Sequence, residues 1–124
     1  MKFTVSRDAF LKPLQVVSGA VERRHTLPIL SNLLLQVQGG QLRLTGTDLE
    51  VELVSSVMVE ASGGDGAVTV PAKKLLDIVR SLPDEAQIEF SAEEDKAFVR
   101  SGRSKFKLST LPADDFPNID YWTS

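Results

Sequence analysis

The chain has 124 residues, the size of one ordinary domain, and 42% hydrophobic and 25% charged residues, a composition typical of a soluble globular protein. It contains no cysteine, which excludes a disulfide framework and a thiolate metal site. The N-terminal residues form no apolar run of signal-peptide type, and no stretch approaches the roughly 18 apolar residues of a membrane span. We therefore expect a cytoplasmic protein.

The charge is unevenly distributed along the chain. The formal net charge is -3, which argues against a generic nucleic-acid binder because such proteins are basic overall. Between residues 96 and 107, however, there are five basic residues and no acidic one. A partner meets the local field of a surface, so an acidic domain can carry one basic working surface.

The first half of the chain predicts one strand, one helix and three further strands. A strand is expected over 2–6. Its last residue, Ser6, is a suitable N-cap for a helix over about 7–18. Pro13 lies inside this helix and should bend or shorten it. A long connection over 19–31 comes next. Strands are then expected at 33–38, 41–45 and 50–59, with Gly39-Gly40 as the hairpin turn between the first two.

The second half predicts the same order of elements. Residues 61–66 have the composition of a flexible turn. A short strand over 68–70 leads into a helix over about 72–81, with Pro71 at a position suited to a helix start. Three more strands are expected at 87–91, 96–100 and 103–109, before a proline-rich, irregular tail.

The two halves also match weakly in sequence, which indicates an internal duplication. Thr4-Val5 aligns with Thr69-Val70 at a spacing of 65, and the later strands align at 55, which matches Val51 and Leu53 with Phe106 and Leu108. We predict an α+β fold in which a βαβββ unit is duplicated and its two helices lie side by side on one face of antiparallel sheets. One domain covers 1–124, with the pseudo-repeat at about 1–60 and 66–111 and a linker or tail at 112–124.

No set of residues in the sequence assembles into a catalytic or metal site. His25 is the only histidine, so no pair of histidines can hold zinc. The segments 45–48 and 63–66 could suggest a carboxylate site and a phosphate loop, but both are better explained as turns. We therefore predict a protein that is not an enzyme and needs no metal or cofactor.

Two helix faces carry basic residues that could meet phosphate. Lys73 and Arg80 lie two turns apart on the exposed face of the second helix, and Lys12 has the corresponding place on the first. A solvated face with a Lys73–Asp77 pair is the simpler interpretation of the second helix alone. If the helices are adjacent, these residues share one surface that binds duplex DNA without reading its sequence. The full predicted DNA-binding set is Lys12, Lys73, Arg80 and Arg7, with Arg23 and Arg24 at the rim.

The last predicted strand alternates between basic and apolar residues. Arg103, Lys105 and Lys107 are expected on one face, and Phe106 and Leu108 on the other. Lysines on an edge strand can simply protect it from aggregation. The same pattern also suits an edge that pairs with another subunit through its backbone and its charges.

Five segments together resemble the N-terminal domain of the bacterial sliding clamp, the β subunit of DNA polymerase III. They are MKFTV at 1–5, TLPILSNLLL at 26–35, LTGTDLEVE at 44–52, VPAKKLLDIVRSLP at 70–83 and VRSGRSKFKLSTLPADDFPN at 99–118. The resemblance covers nearly the whole chain, and the order and spacing of the segments make it specific.

The resemblance implies a DNA-clamp fold and a role as a processivity factor in DNA replication. Family members have three such domains, and two subunits close head to tail into a ring whose helices line the pore. The ring tethers the replicative polymerase to duplex DNA, and a clamp loader places it there. Arg24 matches the DNA-contacting arginine of the family. The implied subunit interface contains Lys74, Lys96, Arg103, Lys105, Phe106 and Leu108.

The chain departs from the family pattern in two respects. Arginine is usual at Lys105, and lysine keeps the charge but loses the bidentate geometry of a guanidinium. The chain also ends after one domain, so we expect that alone it neither closes a ring nor binds clamp-binding peptides through the family's groove. One alternative is a nucleic-acid-binding domain that contacts DNA directly through residues 103–107 without encircling it. Another is an enzyme fragment whose catalytic residues lie elsewhere.

Overall fold

A computed structural model describes residues 1–21 and 27–117 and contains two helices and two antiparallel sheets in these ranges. No helix in this part of the chain is long and apolar enough to cross a membrane. Short 3-10 helices cover Pro28–Ser31 and Ala113–Asp115. The main elements in chain order are β1 (Lys2–Ser6), α1 (Arg7–Ser18), β2 (Asn32–Gln38), β3 (Gln41–Thr47), β4 (Glu52–Met58), β5 (Glu60–Ala61), β6 (Gly66–Pro71), α2 (Ala72–Ser81), β7 (Gln87–Glu93), β8 (Lys96–Ser101) and β9 (Ser104–Ser109).

The two halves of the chain exchange their first strands. Sheet A has the order β5-β1-β7-β8-β9, and sheet B has the order β4-β3-β2-β6. Strand β1 of the first half therefore pairs with the second half, and β6 of the second half pairs with the first. Because each half contributes a strand to the other's sheet, neither half can bury its apolar surface without the other.

The pairing registers of the two sheets are equivalent, which confirms the predicted duplicated βαβββ fold. Val5 on β1 lies opposite Ile88 on β7, and Val70 on β6 lies opposite Leu33 on β2. These pairs preserve the spacing of 65 for the first strand of each half and of 55 for the second. The helices keep the spacing of 65, since α1 begins at Arg7 and α2 at Ala72.

The last strand of each half departs from the predicted alignment. Leu44 lies opposite Ser55, and its counterpart Val99 lies opposite Phe106, so Phe106 corresponds to Ser55 at a spacing of 51. The predicted match of Val51 and Leu53 with Phe106 and Leu108 is therefore wrong by four residues. The reason is the connection before the strand, because six residues separate the paired Gly46 and Leu53 but only two separate the equivalent pair Ser101 and Ser104.

The predicted strand over 50–59 is β4 at Glu52–Met58, and the short strand β5, in the other sheet, follows it. Strand β4 begins at Glu52, and after Met58 the chain crosses to sheet A, where β5 pairs Ala61 with Phe3. The backbone N–H of Ser62 then donates to the Lys2 carbonyl at 3.0 Å. A Cβ on Gly63 would lie 2.9 Å from the Lys2 nitrogen. The segment 61–66 is thus held against β1 rather than forming only a flexible turn.

The core lies between the helices and the two sheets and contains an aromatic cluster. Phe3 stacks on Phe90 with ring centroids 5.0 Å apart and meets Phe10 edge-on at 6.0 Å. Ser6 caps α1 as predicted, because its side chain accepts from the Ala9 N–H at 3.2 Å. Pro13 is buried inside α1, and the helix continues past it to Ser18.

The segment that follows β9 is fastened to the free edge of sheet B. Thr69 and Leu111 exchange two backbone hydrogen bonds, and the Thr69 hydroxyl donates to the Leu111 carbonyl at 2.8 Å. The buried Asn32 amide donates to the same hydroxyl oxygen at 3.0 Å. Phe116 is buried as well. The described part of the predicted tail therefore covers β6, and the open edges are those of β4, β5 and β9.

Candidate nucleic-acid interface

The two helices are in contact and lie side by side, as the sequence predicts. Helix α2 buries Ala72, Leu75 and Val79, which are spaced to form one apolar face. Lys73 and Arg80 lie on the opposite, exposed face. On α1 the buried face contains Phe10 and Leu14, the counterparts of Leu75 and Val79, and Lys12 is exposed. The two helices thus present one continuous solvent-facing surface, the helical face.

Arg7 joins the start of α1 to the end of α2. Its Nε donates to the Val79 carbonyl and its Nη2 to the Arg80 carbonyl, both at 3.3 Å. Its Nη1 lies 3.1 Å from an Asp84 carboxylate oxygen and 3.0 Å from one of Asp8. A cation here satisfies last-turn carbonyls and complements the negative end of the α2 dipole. Only 15% of the Arg7 side chain is exposed, and its predicted contact with DNA stays a prediction.

The helical face is a mixture of basic and acidic residues. Its exposed charged side chains are Lys12, Lys73, Lys74 and Arg80, together with Asp8 and Asp77. The Lys73 ammonium lies 3.8 Å from the Asp77 carboxylate, one helical turn away. At the spacing of 65, Asp8 corresponds to Lys73 and Lys12 to Asp77. Each helix therefore carries one acid and one base at equivalent places, in opposite order.

The first turn of α2 has an unusual charge pattern for a helix start. Pro71 is the N-cap residue and provides no side-chain hydrogen bond, and the turn contains no acidic residue. It contains Lys73 and Lys74 instead, although the positive end of a helix dipole favours acidic side chains. Arg80 in the last turn has the favourable placement. Helix stability thus explains Arg80 but not the two lysines.

Two residues of the predicted DNA-binding set, Arg23 and Arg24, lie outside the described residues. His25, the only histidine in the sequence, does too. Their predicted position at the rim of the helical face remains a prediction.

Strand β9 is the outer strand of sheet A, with β8 on one side. Lys105 and Lys107 are exposed on it, and the Lys105 ammonium lies 4.8 Å from the centroid of the half-buried Phe98 ring. Lys96 lies across the sheet from Ser109 and is also exposed. Arg103 is exposed in the turn before β9 rather than on the strand, which corrects the predicted start of that strand. The edge presents a basic surface in a sheet-forming conformation.

The apolar residues of β9 point into the domain itself. Leu108 is 5% exposed and belongs to the core, and Phe106 is half-buried against that core. The apolar area that this strand offers outward is therefore small. The predicted contact of both residues with a second subunit, and that of Lys74 and Lys96, stays a prediction.

Strand β4, the outer strand of sheet B, is a surface whose character sequence reasoning missed. Val54 and Met58 are exposed at 40% and 69%, and Val51 and Leu49 precede them with about half of their surface exposed. The predicted alignment of the two halves did not reveal these exposed apolar residues, because it matched β9 with residues near 51–53. The correct four-residue shift brings Val54 and Ser56 to the places of Lys105 and Lys107.

In the segment 45–48, for which a tight turn is expected, residues 45–47 end strand β3 and only Asp48 belongs to the turn, which covers 48–51. The Asp48 carboxylate accepts from the N–H groups of Glu50 and Val51 at 2.9 and 2.8 Å. The Thr47 hydroxyl donates to the Val51 carbonyl at 2.8 Å. Within residues 1–21 and 27–117, no cluster of three or more histidine or acidic residues could hold a metal ion.

Comparison with known proteins agrees with this geometry. A family model described as DNA polymerase III beta subunit, N-terminal domain, matches residues 1–120. A beta sliding clamp of Pseudomonas putida is 60% identical over 120 residues, which are 97% of this chain and 33% of that protein. A beta sliding clamp of Vibrio harveyi is 58% identical over 124 residues, which are 100% of this chain and 86% of that protein. The structure of this chain is similar to the crystal structure of a Pseudomonas aeruginosa sliding clamp bound to griselimycin, with a TM-score of 0.92 and 59% sequence identity. The match covers 98% of this chain and 33% of that one.

The duplicated fold and its two exposed helices place the protein in the class of DNA-clamp domains. More particularly, the chain belongs to the DNA polymerase III beta subunit family and matches its N-terminal domain. It spans about a third of the length of the Pseudomonas relatives. The predicted fold and family are therefore confirmed.

Proposed function

We propose that this chain is one domain of a ring that encircles duplex DNA and tethers the replicative polymerase while it slides. The observation that carries the proposal is the helical face, in a chain that belongs to the beta subunit family. Its exposed lysines and Arg80 can approach phosphates, and no base-reading aromatic residue lies among the exposed residues described on the two helices. The face therefore suits sequence-neutral contact with DNA.

The domain contributes to the ring without catalysis. Topology retains the DNA, so each phosphate contact can be weak and the protein can move along any sequence. The surface outside the helical face includes many acidic residues, which repel DNA from the outside of the ring. DNA replication in bacteria places this activity in the cytoplasm.

The β9 edge is the proposed contact with the second subunit of a head-to-tail dimer. Lys96, Lys105 and Lys107 lie around this edge and attract an acidic partner surface, while the free backbone of β9 can extend a sheet. Lys74 and Arg103 are proposed to take part through their charges. In the full-length protein, polymerase and clamp loader bind through regions outside this chain.

Retention on circular DNA tests this function. The full-length protein that contains this domain is loaded onto nicked circular DNA by its clamp loader, and the DNA is then linearised. We expect the protein to stay on the circle and to leave after the cut, because only topology holds it. Retention on the cut DNA would instead support the second candidate, direct binding through the basic residues 103–107, which the exposed Lys105 and Lys107 favour.

A further inference from the structure

The part of the helical face that α2 provides contains an acidic residue, Asp77, between Lys73 and Arg80. It lies one turn after Lys73 and three residues before Arg80, on the side of α2 that faces away from the core. Its side chain is 57% exposed, and its carboxylate lies 3.8 Å from the ammonium of Lys73, whose side chain is 67% exposed. A surface that served only to hold DNA would gain from a neutral or basic residue at this position, because a carboxylate repels phosphate.

Helix stability does not account for Asp77. An acid–base pair one turn apart stabilises a helix best when the acid comes first, in line with the helix dipole. On α1, Asp8 and Lys12 have that order, whereas on α2 Lys73 precedes Asp77. An exposed pair at this distance also contributes little to folding. The pair on α2 thus has the less stabilising order, although it lies on the proposed DNA-facing surface.

The geometry gives Asp77 a direct effect on phosphate contacts. An ammonium group engaged by a carboxylate must leave it, or share it, before it can bind a phosphate oxygen. The carboxylate also lowers the positive potential along the path from Lys73 to Arg80. Both effects weaken the contact of this part of the helical face with DNA.

We propose that Asp77 limits the grip of the domain on DNA and so allows a ring to slide faster. This inference rests on the proposed function and names the residue that tunes it. A ring retained by topology does not need strong phosphate contacts, and each strong contact must break before the ring can move. Asp77 competes with phosphate for Lys73, and thereby keeps that contact short-lived.

Single-molecule diffusion of loaded rings tests the proposal. The full-length protein is compared with its Asp77→Asn variant, which removes the charge while keeping the size and nearly the same helix propensity. We expect the variant to diffuse more slowly at low salt by about two- to fivefold, the factor that corresponds to one exposed ion pair. The difference should vanish at high salt, because counterions then screen the contact.

Two further variants show whether Asp77 acts through Lys73. In a Lys73→Gln background, Asp77→Asn should slow diffusion much less than in the wild-type protein, since the competing ammonium is gone and only the effect of the carboxylate on the potential near Arg80 remains. Glu94→Gln, in the turn between β7 and β8, removes the same charge away from the helices and should have no effect. An unchanged Asp77→Asn ring would overturn the inference, as would an equal slowing by Glu94→Gln or in the Lys73→Gln background.

The wild-type protein separates this inference from the proposed function. If wild-type rings slide and leave linearised DNA, but Asp77→Asn rings behave identically, the function stands and only the role of Asp77 falls. If the wild-type protein stays on linearised DNA, it binds without encircling, and both the function and the inference fail.

Discussion

The outer strands β4 and β9 hold equivalent places in the duplicated fold but present different chemistry. On β9 the outward positions carry Lys105 and Lys107, whereas their β4 counterparts are Val54 and Ser56, followed by the exposed Met58. Lysines discourage unspecific pairing of a strand edge, and exposed apolar side chains promote it. The two outer strands thus keep equivalent positions in the fold while their exposed side chains differ in chemistry.

The interior shows the opposite behaviour, since equivalent positions keep their apolar character. Leu33 and Leu35 correspond to Ile88 and Phe90, and all four are fully buried. They stay apolar because the exchanged strands force each half to pack against the other. The difference between the halves is therefore concentrated on the surface and in the turns.

The largest effect on stability is expected at Gly46, which lies near the end of β3 and differs from its counterpart in the second half. A Cβ at this position would lie 2.4 Å from the Val17 carbonyl oxygen, a backbone atom of α1 that cannot move without the helix. Its counterpart on β8 is Ser101, which carries a side chain. We expect Gly46→Ala to lower the free energy of unfolding by about 3 kcal/mol. Urea denaturation measures this.

The matched control is Ser101→Ala, which should change stability by less than about 0.5 kcal/mol. Equal losses in the two variants would show that the loss at Gly46 does not come from the close approach of its added Cβ to α1.

Arg7 is the second asymmetric position, because its counterpart on α2 is the buried Ala72. Arg7→Met keeps the apolar stem but removes the hydrogen bonds to the end of α2. We expect a loss of about 2 kcal/mol, the range for hydrogen bonds that involve a charged group, since only 15% of the Arg7 side chain is exposed. Thermal unfolding of Arg7→Met beside the exposed Lys12→Met measures it. A loss no larger than that of Lys12→Met would contradict the joining role of Arg7.

Exchanging charged and apolar side chains between the outer strands β4 and β9 should alter self-association of the chain more than its free energy of unfolding. Met58→Lys gives β4 a charged outward side chain like those of β9, and should reduce self-association of the chain at high concentration. Lys107→Met should increase it. Sedimentation velocity detects both changes, while unfolding free energies should move by less than about 0.5 kcal/mol. If neither variant shifts the association, the exposed chemistry of the edges is irrelevant to pairing.

The smallest effect is expected for single cations of the helical face. Lys73→Gln in the full-length protein should leave folding unchanged and make the dependence of DNA binding on salt shallower by up to about 0.9 in the slope of log K against log salt. Lys12→Gln, on the other helix, is the comparison, and it should give the larger change because Asp77 already engages Lys73. The reverse ranking would argue against that competition.

Most of the fold could be predicted because periodicity and turn chemistry are local properties. Ser6 as a cap and Gly39-Gly40 as a hairpin turn follow from the residues themselves. The passage of the chain from β4 to β5 could not be predicted, since residues 52–61 are a nearly continuous extended segment whose two parts pair with different sheets. Pairing partners are set by tertiary packing, which a local pattern does not encode.

The candidate site was predictable in its residues but not in their relationships. Helical spacing places Lys73 and Arg80 on one face, and the duplication adds Lys12. The sequence does not show that the Arg7 guanidinium is drawn to the α2 carbonyls 72 and 73 positions away. Nor does it show that Leu108 is used within the domain. Such long-range contacts depend on the exchange of strands between the halves.

The helical face, and not the β9 edge, is expected to contact DNA, and site-specific crosslinking tests this expectation most directly. The chain contains no cysteine, so Lys12→Cys and Lys107→Cys each add a single thiol to this domain, to which a photoactivatable crosslinker is attached. On loaded full-length protein, we predict crosslinks to DNA from position 12 and none from position 107. Crosslinks from position 107 alone would contradict the account and place the DNA on the outer strand.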